Sequence, residues 1–209
     1  CGFAPKKYQG DLSKWGKKIL NNPDAERWAG PTAINAVKNL IGGKSYLESG
    51  STTTESCSAT YRVIPLGIFY RPFAKDGIDE LKNNAEISAM FTHNSEISNE
   101  GAAITALIIG NLIHGMLPEK AVRGAFEIVK ETEKTKLLMQ KIRQAVEMSR
   151  TENIEAARKT FGTGSPIYQT LPLAIFCFIK FQNDFEKAVI ASANSYRDDT
   201  QEEKELLQK

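Results

Sequence analysis

Residues Glu100–Gly115 read EGAAITALIIGNLIHG, with apolar or small side chains at nearly every position. A helix with about 3.6 residues per turn carries such a run on all its faces. A helix that is apolar all round is stable only where other elements enclose it. Its uncharged part, Gly101–Ile113, is too short to cross a bilayer, which takes about 20 residues. The enclosing elements must therefore be protein. Gly101, Ala102, Ala106 and Gly110 would let neighbouring helices approach closely. A second apolar segment, Gln169–Phe181 (QTLPLAIFCFIKF), is also expected to be a core segment.

The rest of the chain supplies material for a wrapping layer. Asp76–Phe91, Leu117–Lys130, Lys134–Ser149 and Asn153–Phe161 are amphipathic at helical spacing. Asp11–Asn22 is predicted as a Lys-rich helix with an acidic start, stopped by Pro23. Pro31–Ile41 has Pro in its first turn and Gly42-Gly43 past its end, the expected asymmetry of helix termini. Asp184–Asn194 opens on an N-cap Asp and is expected to bury Phe185, Ala188, Val189 and Ala191. Ser58–Tyr70 is predicted as a buried helix kinked or broken near Pro65. Lys44–Glu55, polar and rich in Ser and Thr, is predicted as a mobile loop. No strand alternation and no fixed-period repeat is visible. The expected fold is an all-α bundle, a single domain over residues 1–209, with two buried central helices.

Composition narrows the function classes. Lys and Arg number 27 against 25 Asp and Glu, a net charge of +2. That balance gives no support to bulk binding of nucleic acid or an acidic membrane surface. The unevenness is terminal: the first twenty residues hold five Lys and one Asp, while the last twelve hold five acids and two Lys. Both ends are expected to be solvated. The three cysteines, Cys1, Cys57 and Cys177, form no C-x-x-C pair and have no His at metal spacing. A disulfide framework or zinc site is not expected, and a reducing cytoplasmic setting fits. The first residue is Cys rather than Met, as in a processed chain or an internal segment.

Four patches could carry chemistry. Ser56-Cys57-Ser58-Ala59-Thr60-Tyr61-Arg62 joins the polar loop to an apolar helix through small residues. Such a helix start leaves N–H groups open to an anion such as phosphate, although an ordinary Ser-capped start has the same look. Thr92-His93 ends one helix just before the central one, and a lone His there is also a common capping residue. Phe161-Gly162-Thr163-Gly164 marks a tight turn that could also let backbone approach a ligand. Asp198-Asp199-Thr200 offers hard oxygen ligands suited to Mg²⁺ or Ca²⁺, or simply a solvated acidic helix start.

In order and spacing, these patches resemble the ADP-ribosylglycohydrolases of the dinitrogenase-reductase-activating glycohydrolase type. The family segment G-N-G-A-A-M-R-x-x-P-L-G corresponds to SCSATYRVIPLG, with Arg62, Pro65, Leu66 and Gly67 matching. Its T-H and following G-A correspond to Thr92-His93 and Gly101-Ala102. Its F-G-x-G turn and T-L-P-x-A-I helix correspond to FGTG from Phe161 and TLPLAI from Thr170. Its A-N before the metal motif corresponds to Ala193-Asn194 before SYRDDT, and the G-P-T start at Gly30 also has a counterpart.

The resemblance implies a compact orthogonal multi-helix bundle that cleaves the glycosidic bond of ADP-ribose attached to a protein side chain or a small acyl group. It implies two Mg²⁺ (or Mn²⁺) ions, with Asp198, Asp199 and Thr200 as ligands and the two aspartates as catalytic groups. It implies that Gly30, Ser56, Cys57, Ser58, Ala59, Thr60 and His93 bind an ADP-ribose or ADP-ribosylated protein substrate. The sequence also departs from the family pattern. The G-D-A-x-G and T-D-D-T segments do not precede Gly30, and the last residues, QEEKELLQK, are polar where the family continues with an apolar helix. The chain is thus expected to lack the family's N-terminal segment and C-terminal helices. Tyr196-Arg197 stand in place of two glycines and the aspartates are adjacent; Ser56 and Ser58 replace glycines and Tyr61 replaces Met. These departures leave a second expectation open: a catalytically impaired member that binds nucleotide or serves a structural role.

Overall fold

A computed structural model describes residues 2–22, 29–70 and 75–195. All its regular elements are helical, apart from one isolated bridge between Ser51 and His93. The chain divides into two units, Cys1–Lys136 and Leu137–Lys209.

The first unit opens with α1 (Pro5–Asn21) and α2 (Pro31–Ile41), which pack on each other. α1 starts six residues before the expected Asp11, because Pro5 occupies its first turn, where a missing N–H costs nothing. The α1–α2 contact needs Gly16, since a Cβ there would collide with Val37. The segment expected to be a mobile loop instead contains α3 (Tyr46–Ser49), closed by a capping box between Ser45 and Glu48.

Ser58–Tyr70 is not one buried helix. Two 3₁₀ turns, Cys57–Ala59 and Tyr61–Val63, lead into α4 (Ile64–Tyr70). Pro65 is the second residue of α4, so it helps to start the helix rather than break it. Only Ala59, Val63 and Gly67 are buried, one narrow stripe at a spacing of four, while Tyr61, Ile68 and Phe69 are exposed. α4 packs on α6 (Glu96–Ile113), with Gly67 against the Ala106 carbonyl and Ile109.

α6 is the enclosed helix that its composition requires. Ala102, Ala103, Ile104, Ala106 and Leu107 are all at 0% exposure, and Thr105, Ile109 and Leu112 on the remaining face are half-buried. α5 (Lys75–Met90) lays Leu81, Ala85 and Ala89 toward the core and packs on α6, as does α7 (Pro118–Ile128). Asn111 on α6 donates to the Ala121 carbonyl of α7 at 2.9 Å.

In the second unit, α8 (Lys136–Thr151) buries Leu138, Met139, Ile142, Ala145 and Val146, a helical stripe. α9 (Ile154–Phe161) is capped by the Asn153 side chain, which accepts from the Ala156 N–H at 2.9 Å. α10 (Ile167–Lys180) is the expected second core helix, with Leu171, Leu173, Ile175, Phe176 and Cys177 buried. α11 (Phe185–Ala193) has its Asp184 cap but buries no residue. Phe185 is 84% exposed and Val189 48%, so helix and cap follow the sequence while the expected burial does not. No helix among the described residues is long and apolar enough to cross a membrane.

Candidate functional site

The polar segment after α3 does not wave in solvent; it is stitched to the Thr92–His93 corner at the end of α5. Ser51 N–H donates to the Thr92 carbonyl at 2.9 Å, and Asn94 N–H returns a bond to the Ser51 carbonyl at 2.7 Å. Ser49 Oγ donates to the Phe91 carbonyl at 2.9 Å. Gly50 lies between these bonds, where a Cβ would collide with the Met90 carbonyl and lie 3.0 Å from the Thr92 carbonyl carbon. Tyr46 stacks on the fully buried Phe91 with centroids 5.0 Å apart, and Tyr8 of α1 meets the same ring edge-on at 4.9 Å. Ser95 and Ser98, at the start of α6, donate to the Thr54 carbonyl at 2.9 and 3.3 Å.

This stitching brings the Ser56 loop onto His93. Ser56 Oγ is 2.8 Å from His93 Nε2, and Ser98 Oγ donates to the Ser56 carbonyl at 3.4 Å. His93 Nδ1 is 2.7 Å from Thr92 Oγ1, which in turn accepts from the Arg62 guanidinium. His93 is 1% exposed. Burial, with the Arg62 charge second, lowers its imidazole to about 4, so the ring is neutral at pH 7. Arg62 itself is half-buried, and its Nε has no hydrogen-bond partner among the described residues.

Cys57, Ser58 and Thr60 are half-buried on the turn that follows Ser56, and Ala59 is buried beneath them. Thr60 Oγ1 donates back to the Cys57 carbonyl at 2.8 Å, which holds the turn closed. The loop and the T-H pair, separated by 37 residues at Ser56–His93, therefore form one cluster. Gly30 is the exposed N-cap of α2, and no described hydrogen bond joins it to the cluster. Asp198, Asp199 and Thr200 lie outside the described residues.

The Phe161–Gly164 turn, in the second unit, is closed on itself. Gly162 has φ 84°, a conformation that favours glycine, and Gly164 N–H donates to Gln169 Oε1 at 2.9 Å. Thr170 Oγ1 donates to the Gly164 carbonyl at 2.9 Å. Gln169 carries no motif of its own in the sequence; its signal is that a Gln just inside the next helix is a donor–acceptor group within reach of such a turn.

One further group lies between α5 and α6. Lys82 pairs with Glu86 and lies 3.7 Å from Glu100. Burial pushes the Glu100 carboxyl up to about 6, against the opposing pull of Lys82. Among the described residues, no group of three or more His, Cys, Asp or Glu is placed to hold a metal ion.

No curated protein sequence matches this chain. The profile of the ADP-ribosylglycohydrolases matches residues 1–200, a span that contains both the Ser56 loop and the Thr92–His93 corner, and the chain belongs to the ADP-ribosylglycohydrolase family.

Proposed function

We propose that the chain is a hydrolase that cleaves the glycosidic bond between ADP-ribose and a modified protein side chain or a small group, in a Mg²⁺- or Mn²⁺-dependent site. The observation that carries this reading is the bond sequence Ser56–His93–Thr92–Arg62, which joins the two family motifs of the first unit into one polar cluster. Ser56, Cys57, Ser58, Ala59 and Thr60 would wrap the ADP-ribose, their small side chains leaving backbone N–H groups open to phosphate oxygens. Neutral His93 would support that wall without adding charge. Gly30, at the start of α2, would border the same ligand.

Asp198, Asp199 and Thr200 would supply hard oxygen ligands. A bound ion neutralises charge and activates water in sites of this kind. The described residues alone do not compose such a site. The two aspartates would position water and assist proton transfer.

The test is hydrolysis of ADP-ribosylated arginine, serine and O-acyl substrates with and without Mg²⁺, alongside calorimetry with ADP-ribose. Asp198→Ala with Asp199→Ala should abolish Mg²⁺-dependent turnover and leave the melting temperature unchanged. Full rate in that double variant would refute the metal assignment. Metal-independent binding without turnover would favour an impaired, nucleotide-binding member, and no binding at all a structural one.

A further inference from the structure

The polar cluster has a direction, which follows from counting protons. Arginine is only a donor, so Thr92 Oγ1 accepts from Arg62. Thr92 is 1% exposed, and its own hydroxyl proton needs an acceptor. Among the described residues that acceptor is His93 Nδ1, at 2.7 Å. Were Nδ1 protonated instead, two donors would face Thr92 Oγ1 and the buried Thr92 proton would be stranded. Nδ1 therefore accepts, and the single proton of the neutral ring sits on Nε2. From there it is donated to Ser56 Oγ at 2.8 Å. Ser56 Oγ passes its own proton on to Ser58 Oγ at 3.3 Å. Ser58 is half-buried, at the end of this series of bonds, and among the described residues nothing accepts its hydroxyl proton.

We propose that Arg62, Thr92, His93, Ser56 and Ser58 form a one-way hydrogen-bond relay that presents the Ser58 hydroxyl as a donor to the diphosphate of ADP-ribose, making Ser58 a specificity-determining residue. This rests on the ligand assignment of the preceding section. Each bond in such a series makes the next donor stronger, so the half-buried guanidinium favours an anion at the far end without touching it. The same direction excludes the other use of a Ser–His pair. A nucleophilic Ser56 would have to give its proton to Nε2, which is already protonated; His93 is therefore a positioning residue and not a base. Both serines replace glycines of the motif that the loop resembles, so the last two steps of the relay belong to this chain rather than to the motif.

Two measurements test the proposal on the full chain. Long-range ¹H–¹⁵N correlation of the His93 ring, without ligand at pH 7, should show the Nε2–H tautomer with an unprotonated Nδ1. The opposite tautomer overturns the relay whatever the protein binds. Calorimetry should show Ser58→Ala and Ser58→Gly binding ADP-ribose roughly 10- to 100-fold more weakly, the worth of one bond to a charged group. Adenosine, which lacks the diphosphate, should bind wild type and variants alike. Unchanged ADP-ribose affinity in both variants refutes the role of Ser58 while leaving the ligand assignment standing. Failure of the wild type to bind ADP-ribose refutes that assignment, and the role of Ser58 with it.

Discussion

Replacing Gly50 by Ala tests whether the Ser49–Ser56 segment is fixed to the Thr92–His93 corner. The backbone at Gly50, φ −76° and ψ 155°, suits any residue, so the substitution introduces no torsional strain. Its cost comes from the methyl group alone. That methyl would collide with the Met90 carbonyl and crowd Thr92 and the Asn94 amide, at 3.0 and 3.1 Å. If the segment stays docked, forcing a methyl into packed surroundings costs about 1–3 kcal/mol. If it lifts, it forfeits the Ser51–Thr92 and Asn94–Ser51 backbone bonds and the Ser49–Phe91 bond, each worth about 1 kcal/mol net. Against either loss stands a gain of about 0.4–1 kcal/mol from a stiffer unfolded chain. The cheaper route sets the balance, a destabilisation of about 1–2 kcal/mol and a fall in melting temperature of roughly 2–8 °C for a chain of this size. Thermal unfolding followed by circular dichroism gives the number, and hydrogen exchange gives the place. The Ser51 and Asn94 amides should lose protection before the interior of α6 does. Gly10→Ala serves as the reference, because a Cβ at Gly10, inside α1, meets open space; it should stabilise by about 0.5–1 kcal/mol. A Gly50→Ala protein that melts with the wild type and keeps both amides protected would refute the docking.

Gly16→Ala, also within α1 but facing Val37, should destabilise by about 1–3 kcal/mol by overpacking, measured by chemical denaturation. Arg62→Met should cost about 1.5–3 kcal/mol through the lost charged bond to Thr92, with weaker ADP-ribose binding at temperatures where the variant is fully folded. His93 makes stability depend on pH with a defined sign. Its folded value, about 4, lies below its ordinary 6.5, so the unfolded chain binds the extra proton and stability falls as pH drops from 6.5 to 4. The loss is about 3 kcal/mol. Glu100 acts oppositely: its carboxyl, raised from 4.5 to about 6, holds a proton more tightly when folded and offsets about 2 kcal/mol over that interval. The stability gap between wild type and His93→Gln should therefore narrow by about 3 kcal/mol between pH 7 and pH 4; a gap independent of pH would refute the burial argument.

The features legible in the sequence are those set by local rules. α6 is visible because no face of it tolerates water, and α2 because Pro31 and Gly42-Gly43 mark its two ends. The start of α1 is missed because Ala4 offers no capping side chain and Asp11 looks more like a first-turn acid. The docked segment is misread for a different reason: its polar composition suggests solvent, but the Ser49 hydroxyl bonds the Phe91 carbonyl, the Ser51 backbone pairs with Thr92 and Asn94, and the Thr54 carbonyl accepts from the Ser95 and Ser98 hydroxyls. Composition cannot tell a hydroxyl that faces water from one that faces a carbonyl. The apolar residues of α11 fail in the opposite way, since their burial depends on neighbours that sequence spacing does not specify. At the candidate site, the Ser56 loop and Thr92–His93 are each recognisable, but the bonds that tie them together are tertiary.

Cys177 gives the second unit a built-in chemical clock. It is the sole cysteine of Leu137–Lys209, it is 1% exposed, and burial raises its thiol to about 11 against a weaker opposing pull from Arg158. At pH 7 only about one thiol in 10⁴ is ionised, and an alkylating reagent has no path to it while α10 is in place. Labelling at Cys177 therefore waits for that unit to open. Its rate against denaturant reads the local opening free energy of the unit directly, and peptide mapping separates that signal from labelling at Cys1 and Cys57.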